Sequence, residues 1–114
     1  MRHFFENMHI LCKRGDELVR LLTQNSGQEK DLLEYAALEA RDLFRQGLIT
    51  EQMARNAAIL LGVQLGERVN REAGTAWTIG EEGWPYIPVE AGAYYSPIEQ
   101  LYRFLISGDL QEKT

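Results

Sequence analysis

Apolar side chains recur at spacings of three and four from Phe4 to Val69, and the rhythm stops at Gly74. Only an α-helix, with 3.6 residues per turn, gathers such positions on one face. The first two thirds of the chain is therefore predicted to be helical, cut into segments by glycines and capping residues. Phe4, Met8, Leu11, Leu18 and Leu22 form the first stripe, with Gly15 in the gap. Gly15-Asp16 could end one helix and cap another; one helix with a weak point is the favoured reading. Ser26 with Glu29 has the capping-box spacing for a second helix. Its face is Leu33, Ala36, Ala37, Ala40, Leu43 and Phe44, and Gly47 supplies a left-handed terminator. Thr50 caps the third helix, and Glu51 suits the positive end of its dipole. Its face is Ala54, Ala58, Leu61, Leu65 and Val69.

Two glycines stand inside this third helix. Gly62 and Gly66 each cost about 1 kcal/mol relative to alanine. With Ala58 and Ala73 they make a nearly smooth strip. A second backbone element is predicted to approach that strip closely enough to require it. The strip is no phosphate loop, because Gly62-Val63-Gln64-Leu65-Gly66 lies within a helix and no lysine follows.

Beyond Gly74 the period changes from helical to alternating. Thr75, Trp77 and Ile79 alternate with Ala76 and Thr78, as in a short strand. Gly80-Glu81-Glu82-Gly83 reads as a turn, with Trp84 to Val89 as the returning strand. Pro85 and Pro88 cannot donate to a ladder, so that strand belongs at an edge or is irregular. Gly92 marks another turn, and Ala93 to Tyr95 add a few extended residues. Ser96-Pro97-Ile98-Glu99 opens a last helix, with serine at the cap, proline at the first position and glutamate at the third. Ile98, Leu101, Tyr102 and Leu105 form its face, Gly108 ends it, and the tail from Asp109 is polar. The expected architecture is α+β: three N-terminal helices, a small antiparallel β-hairpin or sheet, and a C-terminal helix. The helices are expected near residues 3–24, 27–46, 51–73 and 97–107, with the sheet between 75 and 95. No repeat or linker interrupts the chain, so residues 1–114 are read as one domain around one core.

Composition narrows the function. Apolar residues are 45% and charged residues 25% of the 114, proportions ordinary for a folded domain. A net charge of -5, from 17 acidic and 12 basic residues, argues against nucleic acid, which needs a basic face. Lys13, Arg14 and Arg20 are the only dense basic candidates. The single cysteine, Cys12, permits no internal disulfide. The first residues, with Glu6 and His9 and no small-residue cleavage site, do not read as a signal peptide. No apolar run has the length of a membrane span. A cytoplasmic location is the expectation.

Candidates for chemistry are few. Glu6, His9 and Cys12 stand three apart, but that spacing drifts around a helix and a zinc site usually needs four ligands, with His3 the only nearby addition. Cys12 with His9 lacks the orienting group and oxyanion site of a thiol nucleophile. Glu81 and Glu82 sit between glycines, where acids are ordinarily solvated rather than paired for acid–base work. No catalytic residue, metal or cofactor is assigned. The aromatic set is more informative. Trp77, Trp84, Tyr86, Tyr94 and Tyr95 crowd the span after Gly74. Trp77 reads as core, whereas Trp84, Tyr86, Tyr94 and Tyr95 cannot all face inward from an extended stretch. Exposed tyrosine and tryptophan are typical binding anchors, and these four are the candidate partner-binding residues.

Leu61-Gly62-Val63-Gln64-Leu65-Gly66-Glu67, Trp77, Tyr95-Ser96-Pro97-Ile98, Leu101-Tyr102 and Ser107-Gly108-Asp109 together resemble a bacterial family of unknown function made of short cytosolic proteins. The resemblance covers about the last half of the chain. It implies three helices, a small sheet and a final helix, and no catalytic residues. The expected function is a non-enzymatic protein-interaction module, with an acidic immunity or regulatory protein as its most concrete form. The partner is a protein or a second copy of the chain, not nucleic acid or membrane. The alternative is a small-molecule-binding or enzymatic domain with a pocket between the hairpin and the third helix.

Overall fold

A computed structural model describes residues 4–24, 32–79 and 84–107. The expected capping box at Ser26 and Glu29, the turn at Gly80 to Gly83, His3, Gly108 and the polar tail lie outside the described residues. The elements are α1 (Met8–Leu22), α2 (Leu32–Arg45), α3 (Glu51–Ala73), β1 (Ile87–Pro88), a 3₁₀ turn (Glu90–Gly92), β2 (Tyr94–Tyr95) and α4 (Pro97–Ser107). The fold is α+β, with three helices before a two-stranded antiparallel sheet and one after it.

Local signals account for most of the ends. Thr50 Oγ1 accepts from the Met53 backbone N–H at 3.1 Å, one of the donors a helix start leaves over. Gly74, at φ 70°, closes α3 in the left-handed conformation that suits glycine. At the end of α2, the Leu48 N–H reaches the Leu43 carbonyl and the Gly47 N–H reaches that of Phe44. This is the Schellman arrangement, with Gly47 at φ 78°.

Three expectations need correction. The first helix begins at Met8 rather than near residue 3, because Phe4 to Asn7 form a turn whose Phe4 ring is driven into the core. It then continues unbroken through Gly15, as the favoured reading has it, and Gly15 is buried. A Cβ at Gly15 would lie 2.9 Å from Gln64 Nε2 and 3.0 Å from the Leu60 carbonyl, so glycine there serves the contact with α3 and not a helix end. The segment from Thr75 to Ile79 is not a ladder strand. It makes one bridge, in which Thr78 and Tyr86 exchange both backbone hydrogen bonds, at 2.6 and 2.9 Å. Trp77 holds the segment down by its side chain instead. The ladder itself pairs Ile87 with Tyr95 and Pro88 with Tyr94. Finally, Ser96 uses its hydroxyl to donate to the Pro85 carbonyl at 3.1 Å, tying α4 to the hairpin, while Glu99 pairs with Arg103 at 2.6 Å.

The buried side chains fall into two clusters rather than one. Ala36, Ala37, Ala40, Ala54, Leu61 and Leu105 belong to the first, between α2, α3 and α4. Phe4, Val63, Trp77, Ile87 and Ile98 form the second, between α1, α3 and the hairpin. Val63 stands about half a turn from Leu61 and Leu65 at 100° per residue, so α3 is buried on two sides. Its second face, Ile59 and Val63, was not separable from the first in the sequence, because a helix apolar on two sides loses its period; Val69, expected on the first face, packs against the second cluster. α1 likewise straddles both clusters: Met8 and Leu11 pack on the second, Leu18 and Leu22 on the first.

Gly62 and Gly66 sit where the elements close on α3. A Cβ at Gly62 would lie 2.6 Å from Ile98 Cα. One at Gly66 would overlap the Trp77 ring. The expected close approach is present, from the start of α4 at one glycine and from an indole at the other.

Candidate functional site: the aromatic hairpin

Alternation along β1 and β2 decides which aromatics face out. Successive side chains of a strand point to opposite faces. Ile87 and its partner Tyr95 face inward: Ile87 is fully buried and Tyr95 packs against the second cluster. Pro88 and its partner Tyr94 face outward, and Tyr94 is 67% exposed. Tyr86 lies two residues before Pro88 on the same face. Its ring meets that of Tyr94 edge-on, with centroids 5.3 Å apart. Burial pushes the Tyr95 phenol above its ordinary value, opposed in part by Arg68.

Trp84 is placed differently from both. It is half-buried, with the Arg55 guanidinium 4.7 Å from its ring centroid and the Tyr102 ring 5.8 Å away. The Tyr102 hydroxyl donates to Glu51 Oε2 at 2.6 Å. Trp84 thus joins the hairpin to the first turns of α3 and to α4.

The four residues therefore do not form one patch. Tyr86 and Tyr94 form an outer aromatic ledge, Trp84 anchors the hairpin to two helices, and Tyr95 is a core contact. The ledge opens onto a groove of about 460 Å³ lined by Tyr86, Pro88, Val89, Gly92, Ala93 and Tyr94. Val89 is 40% exposed and belongs to this surface, although it was not among the candidates. Alternation gave no signal for it, since a period of two would place Val89 on the inner face with Ile87; it is exposed because the ladder has ended and the 3₁₀ turn begins. Arg55 was not findable, since it approaches Trp84 from a different element.

The remaining chemical candidates resolve simply. Cys12 is half-buried, and its thiol is pushed up by burial first and by the charges of Glu67 and Asp16 second. A raised thiol holds its proton and makes a poor nucleophile at neutral pH. Glu6 and His9 are exposed, and among the described residues no group of three or more metal-ligating side chains is assembled. Where the hairpin meets α3, the position over Gly66 is filled by the Trp77 ring, whose Nε1 donates to Glu67 Oε2 at 2.8 Å. No described helix is long and apolar enough to cross a membrane. Comparison with known protein families, with curated proteins and with solved structures gives no match.

Proposed function

We propose that the chain is a non-enzymatic protein-interaction module whose contact surface is the outer face of the hairpin. The observation that carries this reading is Tyr94, two thirds exposed and braced by Tyr86 beside the open groove and Val89. Large aromatic side chains held in place and left in water are suited to anchor a partner, since burying them releases apolar area at little cost in conformational freedom. Pro88 keeps β1 from extending its ladder, so the partner would engage side chains more than strand edges. The partner is a second copy of the chain or a different protein. An acidic immunity or regulatory protein is the most concrete form of this reading, on size and charge alone.

The test is site-directed photo-crosslinking in cells. A photo-reactive residue in place of Tyr94 should give discrete adducts, and one in place of exposed Glu72 on α3 should not. Equal or absent crosslinking at both positions would remove the hairpin from consideration.

A further inference from the structure

We infer that the partner of the hairpin is a basic protein segment, which lays an arginine or lysine side chain on the Tyr86–Tyr94 ledge, and not a second copy of this chain. This rests on the outer face of the hairpin being the contact surface, and it names the chemistry that face selects. The first observation is the ledge itself. Tyr86 and Tyr94 meet edge-on at 66°, with centroids 5.3 Å apart. Such a contact covers the face of one ring at most, and Tyr94 stays 67% exposed, so aromatic faces remain open to water. An aromatic face is electron-rich and attracts a cation set over it. The hairpin already shows this chemistry where it meets α3, with the Arg55 guanidinium 4.7 Å from the Trp84 centroid. Among the described residues no cation stands over Tyr86 or Tyr94.

The second observation is the charge of this stretch. From Thr75 to Ser96 the chain carries three carboxylates, Glu81, Glu82 and Glu90, and no arginine, lysine or histidine. Glu81 and Glu82 lie outside the described residues and enter only as charge. Glu90 is exposed and opens the 3₁₀ turn between Val89 and Gly92, both of which line the groove. The bases that act on the hairpin come from α3 and engage its inner aromatics, Arg55 at Trp84 and Arg68 at Tyr95. The outer face therefore combines open aromatic faces with negative charge, in a chain of net charge -5. Both features attract a cation, and charge complementarity at an interface favours the right partner and suppresses wrong ones. A second copy fits badly. A two-fold contact places the same surface on both sides, so Glu90 and the acids of the turn would meet their own kind. A neutral apolar partner would desolvate Glu90 without a counter-charge. An arginine suits each feature, because its stem is apolar and its guanidinium can stack on a ring while meeting a carboxylate.

The experiment is titration of the ¹⁵N-labelled chain with the peptide Gly-Arg-Gly-Arg-Gly-Arg-Gly and with its lysine and glutamate counterparts. Saturable shifts centred on Tyr86, Val89, Gly92 and Tyr94 are expected with one or both basic peptides and none with the glutamate peptide. The tighter of the basic pair identifies the side chain. Tyr94→Leu keeps apolar bulk but removes the ring, and should weaken that binding by about two- to fivefold, the scale of an exposed cation–π contact. Glu90→Gln should weaken it by about twofold and flatten its dependence on salt. Neither variant should change the melt. Binding unmoved by Tyr94→Leu would be general attraction of a base to an acidic chain and would overturn the proposal. Shifts centred away from the hairpin, equal binding of the glutamate peptide, no saturation by either basic peptide, or a Tyr94-dependent dimer in sedimentation would overturn it too. The surface and its partner fail separately. Crosslinking from position 94 to a second copy or to an acidic segment removes only the basic partner, whereas no crosslinking there removes the surface itself.

Discussion

At Gly62 the neighbour is backbone and at Gly66 it is a side chain, and the difference has measurable consequences. Alanine in a helix interior ordinarily stabilises by about 1 kcal/mol relative to glycine. Here the added methyl meets Ile98 Cα at 2.6 Å in one case and the Trp77 indole in the other. Overpacking outweighs propensity, and each substitution should destabilise by about 1–3 kcal/mol in a urea melt. Gly62→Ala should be the costlier, because α4 must move as a body, whereas the indole can tilt. A double-mutant cycle checks the second contact: Trp77→Leu should lessen the cost of Gly66→Ala. Stabilisation by either alanine would show that these glycines are merely tolerated.

Between elements, a few polar contacts set how the helices are joined. Gln64 Nε2 donates to the Cys12 carbonyl at 2.9 Å and links α3 to the middle of α1. Gln64→Leu should lower stability by about 1 kcal/mol, the net worth of such a bond, and should loosen α1 first in amide exchange. Tyr102 links α4 to the start of α3 through Glu51. That hydrogen bond, more than burial, raises the phenol above its ordinary value near 10. A raised acid is one the fold prefers neutral. The stabilisation is therefore complete below the unfolded value near 10 and is lost as pH rises through the folded one. In a spectrophotometric titration, Glu51→Gln should return Tyr102 towards the ordinary value, and Tyr102→Phe should remove a late-titrating phenol. A Tyr102 titration unmoved by Glu51→Gln would contradict this account.

For the whole molecule, the hairpin combines residues that hold the fold with residues free to meet a partner. Tyr94→Ala removes a ring that is mostly in water, and the melt should stay within about 0.5 kcal/mol of wild type. Trp84→Ala deletes the cation–π contact with Arg55 and the packing on Tyr102, and should cost about 1–3 kcal/mol. Self-association or partner capture, measured by sedimentation with each variant, should fail for Tyr94→Ala while that variant's melt is unchanged. A loss of stability in Tyr94→Ala as large as in Trp84→Ala would make the outer ledge part of the core.

Sequence alone determined where α3 starts and stops, where α2 ends and where α4 starts, and which class of fold results. Those are local matters: a threonine oxygen reaching an N–H three residues on, a glycine accepting positive φ, a period of 3.6 giving way to alternation. It also indicated that something must come close to Gly62 and Gly66, since two uncompensated glycines in one helix are costly. Tertiary structure decided what came close, because nothing in residues 58 to 66 specifies Ile98 or Trp77. It decided that α3 is buried on two sides and that Ser96 bonds Pro85. It split the four aromatics into ledge, anchor and core contact, which depends on the register Ile87 with Tyr95 and on Arg55 arriving from another helix.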